Sequence, residues 1–145
     1  MTKDPHFVAL QNMYLAAPIN EFYRPSIEVC DAEAKIEIEV SEKFFHSGGS
    51  VHGSVYFKML DDAAFFAANS LEREVFVLTT SFTTYLTKPV SSGALRSVGR
   101  VVNRNKSQLI AEAVVYDSNG SEVGRGSGIF VLSKLPLSGA KGYAA

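Results

Sequence analysis

The hydrophobic pattern along the chain switches between a helical and a strand period. Residues 4–16 carry Phe7, Leu10, Gln11 and Tyr14 at helical spacing behind Pro5, a residue suited to a first turn, which predicts a short amphipathic lead helix. Residues 20–25 carry no pattern and read as irregular. From 33 to 41 the chain alternates, with Ile36, Ile38 and Val40 on one side and Lys35, Glu37 and Glu39 on the other, as in a half-buried strand. Residues 55–71 are apolar nearly all round, so a helix there must be enclosed by protein. Beyond it the chain is β-branched and aromatic, and 75–86, 94–103, 108–117 and 123–132 read as strands. Turns fall at 89–93 and at Asp117-Ser118-Asn119-Gly120, whose Asn-Gly pair signals a hairpin. Residues 138–145 have no pattern and are expected to fray. One helix is enclosed on every side only by a sheet that curves around it. The sequence therefore predicts an α+β arrangement: a strand, an enclosed helix and an antiparallel meander.

Composition narrows the class. The chain has 145 residues, 46% hydrophobic and 20% charged, which fits a single globular domain over 1–145 with its own core. The one cysteine, Cys30, excludes an intrachain disulfide and a multi-thiolate zinc site. Fourteen basic and fifteen acidic residues leave a formal charge of −1, which gives no general pull toward nucleic acid. The first residues lack the apolar run of a secretory leader. The longest apolar stretch, 51–68, is broken by Lys58, Asp61 and Asp62, so no membrane span is expected. The balance predicts a soluble, cytoplasmic protein.

Chemistry enters at two places. Asp61 and Asp62 fall within the enclosed helix, about 100° apart around its axis, so at least one must face protein. A buried carboxyl without a partner is costly and has a raised pKa, and such a group serves as an acid or base. The plainer reading is an ion pair with Lys58, three residues before Asp61 and four before Asp62. Just upstream, His46-Ser-Gly-Gly-Ser-Val-His52-Gly53-Ser54 runs into the helix start, where unsatisfied N–H groups can hold a developing oxyanion. The plainer reading is a flexible loop with a Ser54 cap. Gly53 and Asp61 are eight residues apart, about 12 Å along one helix, too far for both to serve one reacting carbonyl. If both act on it, they come from different subunits. The histidine spacing matches no standard metal motif, and a Ser-His-Asp triad lacks its usual context. From 75 to 111 there are five basic residues and no acid, with Arg96, Arg100 and Arg104 sharing one strand parity. That face is either a solvated surface or a track for an extended nucleotide-bearing ligand.

The segment from Val51 to Ser70 resembles the core motif of the hotdog-fold acyl-CoA thioesterases of the phenylacetate-pathway (PaaI) type, in which His-Gly-Gly is followed by a helix with an acid nine positions after the histidine. Tyr85-Leu-Thr-Lys-Pro-Val90 and the segments 99–106 and 115–120 resemble its later strands and hairpins, so that the likeness covers about 33–132. The resemblance implies a long central helix wrapped by a curved antiparallel sheet, with active sites at the interface of a homodimer or homotetramer. It implies hydrolysis of acyl-CoA to free acid and coenzyme A, with no cofactor and no metal. By the same analogy Asp61 is the base or nucleophile, and the Gly53 N–H of the other subunit polarises the carbonyl. Thr79 helps orient the water. His46 stands where the family has Asn or Gln. His52, Ser54, Asn69, Arg104 and Lys106 fall on the substrate-binding side, the last two toward the coenzyme A phosphates. Three departures set this chain apart: Ser54 for the second glycine, His46 for an amide, and the additional acid Asp62. A non-catalytic acyl-ligand binding or regulatory protein on the same fold is the alternative. A hotdog dehydratase is a third reading, although such enzymes pair a histidine with the acid in other motifs.

Overall fold

The computed structural model describes residues 3–145, and its elements follow the side-chain periods closely. Pro5 opens α1 (Pro5–Ala16), where the Asp4 carboxylate caps the helix by accepting the His6 N–H. Its apolar face, with Phe7, Leu10, Met13 and Tyr14, is buried. Residues 20–25, expected to be irregular, instead form a single-turn helix, α2 (Asn20–Tyr23). It ends at Arg24 in the left-handed region, φ 53°. Two strands follow, β1 (Ser26–Cys30) and β2 (Glu33–Glu39), paired antiparallel through a turn with Ala32 at φ 60°. β1 was not legible because only Ile27 and Val29 alternate and no glycine marks its turn.

The enclosed helix is α3 (Gly53–Ser70), two residues longer at its start than the pattern predicts. Four strands complete the chain: β3 (Val75–Leu86), β4 (Ala94–Arg104), β5 (Gln108–Tyr116) and β6 (Glu122–Pro136). All six strands form one antiparallel sheet in the order β1-β2-β4-β5-β6-β3. α3 packs against all of them, which shields most of its circumference from water, while a stripe through Ser54, Phe57, Lys58, Asp61, Asp62 and Phe65 stays exposed or half-buried. This is the hotdog arrangement that the sequence motif implied.

Contact is closest at β4. A Cβ on Gly99 would lie 2.3 Å from the carbonyl carbon and oxygen of Ala63, so the helix backbone rests directly on the strand. Ala63, Ala64, Ala67 and Ala68 supply the small side chains that this approach requires, and Ser97 Oγ donates to the Met59 carbonyl at 2.8 Å. These alanines are thus the packing surface of a helix in a sheet. No helix among the described residues is long and apolar enough to cross a membrane.

The unpatterned end, expected to fray, is docked instead. A 3-10 turn at Leu137–Gly139 buries Leu137, and Tyr143 Oη lies 2.7 Å from His6 Nδ1. The Asn12 side-chain amide donates to the Ala144 carbonyl at 2.6 Å. Contacts with α1, remote in sequence, hold this segment, so local pattern could not reveal them.

Candidate active site

Asp61 lies midway along α3, partly buried, and its Oδ1 accepts a hydrogen bond of 2.9 Å from Thr79 Oγ1 on β3. Thr79 lies two residues after the buried Val77, on the same face of β3. The register of β3 against β6 shifts between Thr79 and Ser81, which switches the strand's parity. Phe82 therefore faces the helix as Thr79 does, and its ring meets that of Phe57 edge-on at 5.6 Å. Burial pushes the Asp61 carboxyl up to about 6. The Thr79 hydroxyl opposes the rise, neighbouring Asp62 adds to it, and Lys58 offsets part of it. Asp61 and Thr79 border a cavity of about 320 Å³ whose walls include Met13, Phe65, Phe66, Phe76 and Leu78. The far wall comes from α1 and from Ile19 and Asn20 beside α2.

Asp62 has the plainer role for which the sequence also allowed. Its Oδ2 accepts from Lys58 Nζ at 2.5 Å and from Tyr14 Oη at 2.6 Å. The Lys58 ammonium lies 5.1 Å from the Tyr14 ring centroid and 4.9 Å from that of Tyr23. Lys58 was visible as a neighbour on the helix. Tyr14 was not, because it is 48 residues away and only tertiary packing brings it in.

The loop before α3 is tied to itself. His46 Nδ1 accepts the Gly48 N–H at 2.9 Å, and the His46 N–H donates to the Ser50 carbonyl at 2.9 Å. A proton on Nδ1 would cost the first of these bonds, so the geometry favours a loop-organising His46. The cap of α3 is His52 rather than Ser54: His52 Nδ1 accepts the Ser54 N–H at 3.0 Å and lies 2.8 Å from Ser54 Oγ. Gly53 is the first residue of the helix, where the N–H has no partner within the helix. A Cβ at Gly53 would sit 2.9 Å from Leu86 Cδ1, the tip of an exposed side chain that would have to move aside. Gly53 and Asp61 do share one helix, and their separation of about 12 Å along it stands.

The remaining candidates divide. Asn69 is fully buried, and its amide is spent on the turn into β3: it donates to the Glu72 and Val75 carbonyls at 3.1 Å each and accepts the Val77 N–H at 3.0 Å. The structure therefore takes Asn69 out of the substrate-binding set and makes it the clamp of that turn. Arg104 donates to the Leu71 carbonyl at 3.2 Å and, with Lys106, Asn105 and Glu72, borders a separate surface depression of about 360 Å³. Among the described residues no group of three or more His, Cys, Asp or Glu side chains is placed to hold a metal.

Comparison with known proteins agrees with this architecture. A family model described as "Thioesterase superfamily" matches residues 48–123, the span that holds the loop, α3 and the strands through β5. A Saccharolobus solfataricus protein named "Putative esterase SSO1253" is 24% identical over 99 residues, 68% of this chain and 66% of its own length. A Sulfurisphaera tokodaii protein named "Putative esterase" is 27% identical over 100 residues, 68% of this chain and 74% of its own. Among solved structures, the Escherichia coli PaaI protein of the phenylacetic acid degradation operon superposes with a TM-score of 0.81 at 17% identity, covering 92% of this chain and 99% of that one. The conserved protein PA5202 of Pseudomonas aeruginosa gives 0.76 at 22% identity, covering 81% and 94%. At these identities the structural likenesses speak for the fold.

Proposed function

Since the chain belongs to the thioesterase superfamily, we propose that it hydrolyses acyl-CoA thioesters, in the manner of the phenylacetate-pathway type, at a site shared between two subunits. The observation that carries this reading is Asp61: a partly buried carboxyl, raised to about 6, held by one hydroxyl and bordering an apolar cavity. Near neutral pH such a group is ionised yet basic enough to take a proton from water, or to attack the thioester carbon itself. Thr79 holds one carboxylate oxygen and leaves the other for that task.

The acyl group would occupy the cavity beside Phe65, Phe66 and Phe76. The carbonyl oxygen would meet the Gly53 N–H of a second subunit, where the helix dipole favours the negative charge that develops on it. Coenzyme A would leave as the thiol, with Arg104 and Lys106 toward its phosphates. The site residues of this reading are thus Asp61, Thr79 and Gly53, with His46, His52 and Ser54 shaping the loop around the carbonyl.

A panel of acyl-CoA substrates, followed by detection of the released thiol, tests the reaction. Asp61→Asn is expected to lose about 100- to 10,000-fold in kcat, whereas Asp62→Asn keeps far more at neutral pH. Equal losses in the two variants would remove Asp61 from its role. Binding of acyl-CoA without any thiol release would instead favour a ligand-binding protein on the same fold.

A further inference from the structure

Two carboxyl groups on adjacent helix positions in one cavity cannot both ionise freely, because each charge disfavours the other. Their hydrogen-bond donors set them apart. Asp62 receives two on the same oxygen, the Lys58 ammonium at 2.5 Å and the Tyr14 phenol at 2.6 Å. Asp61 receives one neutral hydroxyl, from Thr79 at 2.9 Å. The ammonium is itself held in place by the faces of Tyr14 and Tyr23. Every element packed around Asp61 can be checked for other charges. α3 presents Lys58 and Asp62, α1 presents Tyr14, α2 presents Tyr23 behind Lys58, and β3 presents Thr79. Among the described residues, no further charged or titratable side chain lines the cavity.

We propose that Lys58 and Tyr14 are positioning residues that occupy the Asp62 carboxylate and so reserve proton exchange for Asp61. This rests on the hydrolase reading of Asp61 and adds to it the device that selects one acid of two. The extra acid is then part of the site's charge balance. Lys58 and Asp62 cancel, Tyr14 ties that cancellation to α1, and Asp61 is left to titrate where a base is useful. The raised Asp61 carboxyl agrees with this division.

The test lies in the sign of two shifts. Asp62→Asn removes a negative charge beside Asp61 and frees the ammonium, so the acid limb of the kcat/KM profile is expected to move down by about half to one pH unit. Lys58→Met removes the positive charge and is expected to move the same limb up by about as much. Lys58→Arg restores the wild-type position. A merely structural role would lower activity in all three variants without opposed shifts. Carbon-13 NMR of the Asp61 carboxyl, assigned through Asp61→Asn, reads the same shifts without turnover, and Lys58→Gln replaces Lys58→Met should the latter fail to fold. Opposed shifts in the two variants support the proposal. Shifts of one sign, or none, overturn it. Failure of the hydrolase reading would show separately, as undiminished turnover in Asp61→Asn.

Discussion

A carboxyl group that is partly buried and held by a single hydroxyl costs stability when it ionises, and Asp61 is such a group. Its pKa in the folded chain, about 6, lies above the ordinary aspartate value of 3.8. The stability associated with its neutral form is thus fully present below about pH 4 and is lost as pH rises through 6. Asp61→Asn avoids that loss while keeping an oxygen for the Thr79 hydroxyl. The variant should match wild type in urea unfolding at pH 4 and exceed it by about 1–2 kcal/mol at pH 8, solvent contact discounting a ceiling of about 3. An equal difference at both pH values would contradict the burial of this carboxyl. Thr79→Val removes the one donor and should raise the acid limb of kcat/KM while lowering kcat. At this scale the sequence was informative where chemistry follows spacing. Asp61 stood out through its place nine residues after His52 and within an enclosed helix. Asn69 misled because its amide looks free in sequence, whereas three backbone groups of the following turn occupy it.

Among elements, the contact of α3 with β4 sets the geometry of the rest. At Gly99 the two backbones approach so closely that any side chain displaces the helix. Gly99→Ala should cost about 3 kcal/mol or more in urea unfolding; a cost under about 0.5 kcal/mol would mean that the helix yields easily. The enclosed helix was legible because it is apolar nearly all round, and the four later strands because they are rich in β-branched and aromatic residues. The bulge that turns Phe82 toward α3, on the same side as Thr79, was not, since 75–86 reads as one uninterrupted strand and an extra residue leaves the composition unchanged. β1 escaped for a different reason. It is a five-residue edge strand whose Val29 N–H bonds to the Gln11 side chain at 2.9 Å, so α1, and not an alternating pattern, covers its edge.

For the molecule as a whole, segments at both ends of the chain serve the cavity. α1 and α2 form its far wall, outside the span matched by the family model, and the C-terminal segment holds α1 through His6 and Tyr143. His6 Nε2 also lies 2.9 Å from the Asn69 carbonyl, which joins the end of α3 to the same network. The proposed reaction would require a second chain. The N–H of Gly53 and the carboxylate of Asp61 stand about two turns apart on one rigid helix, and no rearrangement within a subunit brings them to one carbonyl. In the proposed assembly, two subunits with their α3 helices antiparallel would bring the two groups together. The account therefore turns on complementation between two inactive variants, Asp61→Asn and Gly53→Leu, mixed so that they form heterodimers verified by mass spectrometry. One interface then carries both lesions and the other neither. Thioesterase activity is predicted to reappear toward half the wild-type value per mixed dimer, and verified heterodimers that stay inactive would contradict the shared site.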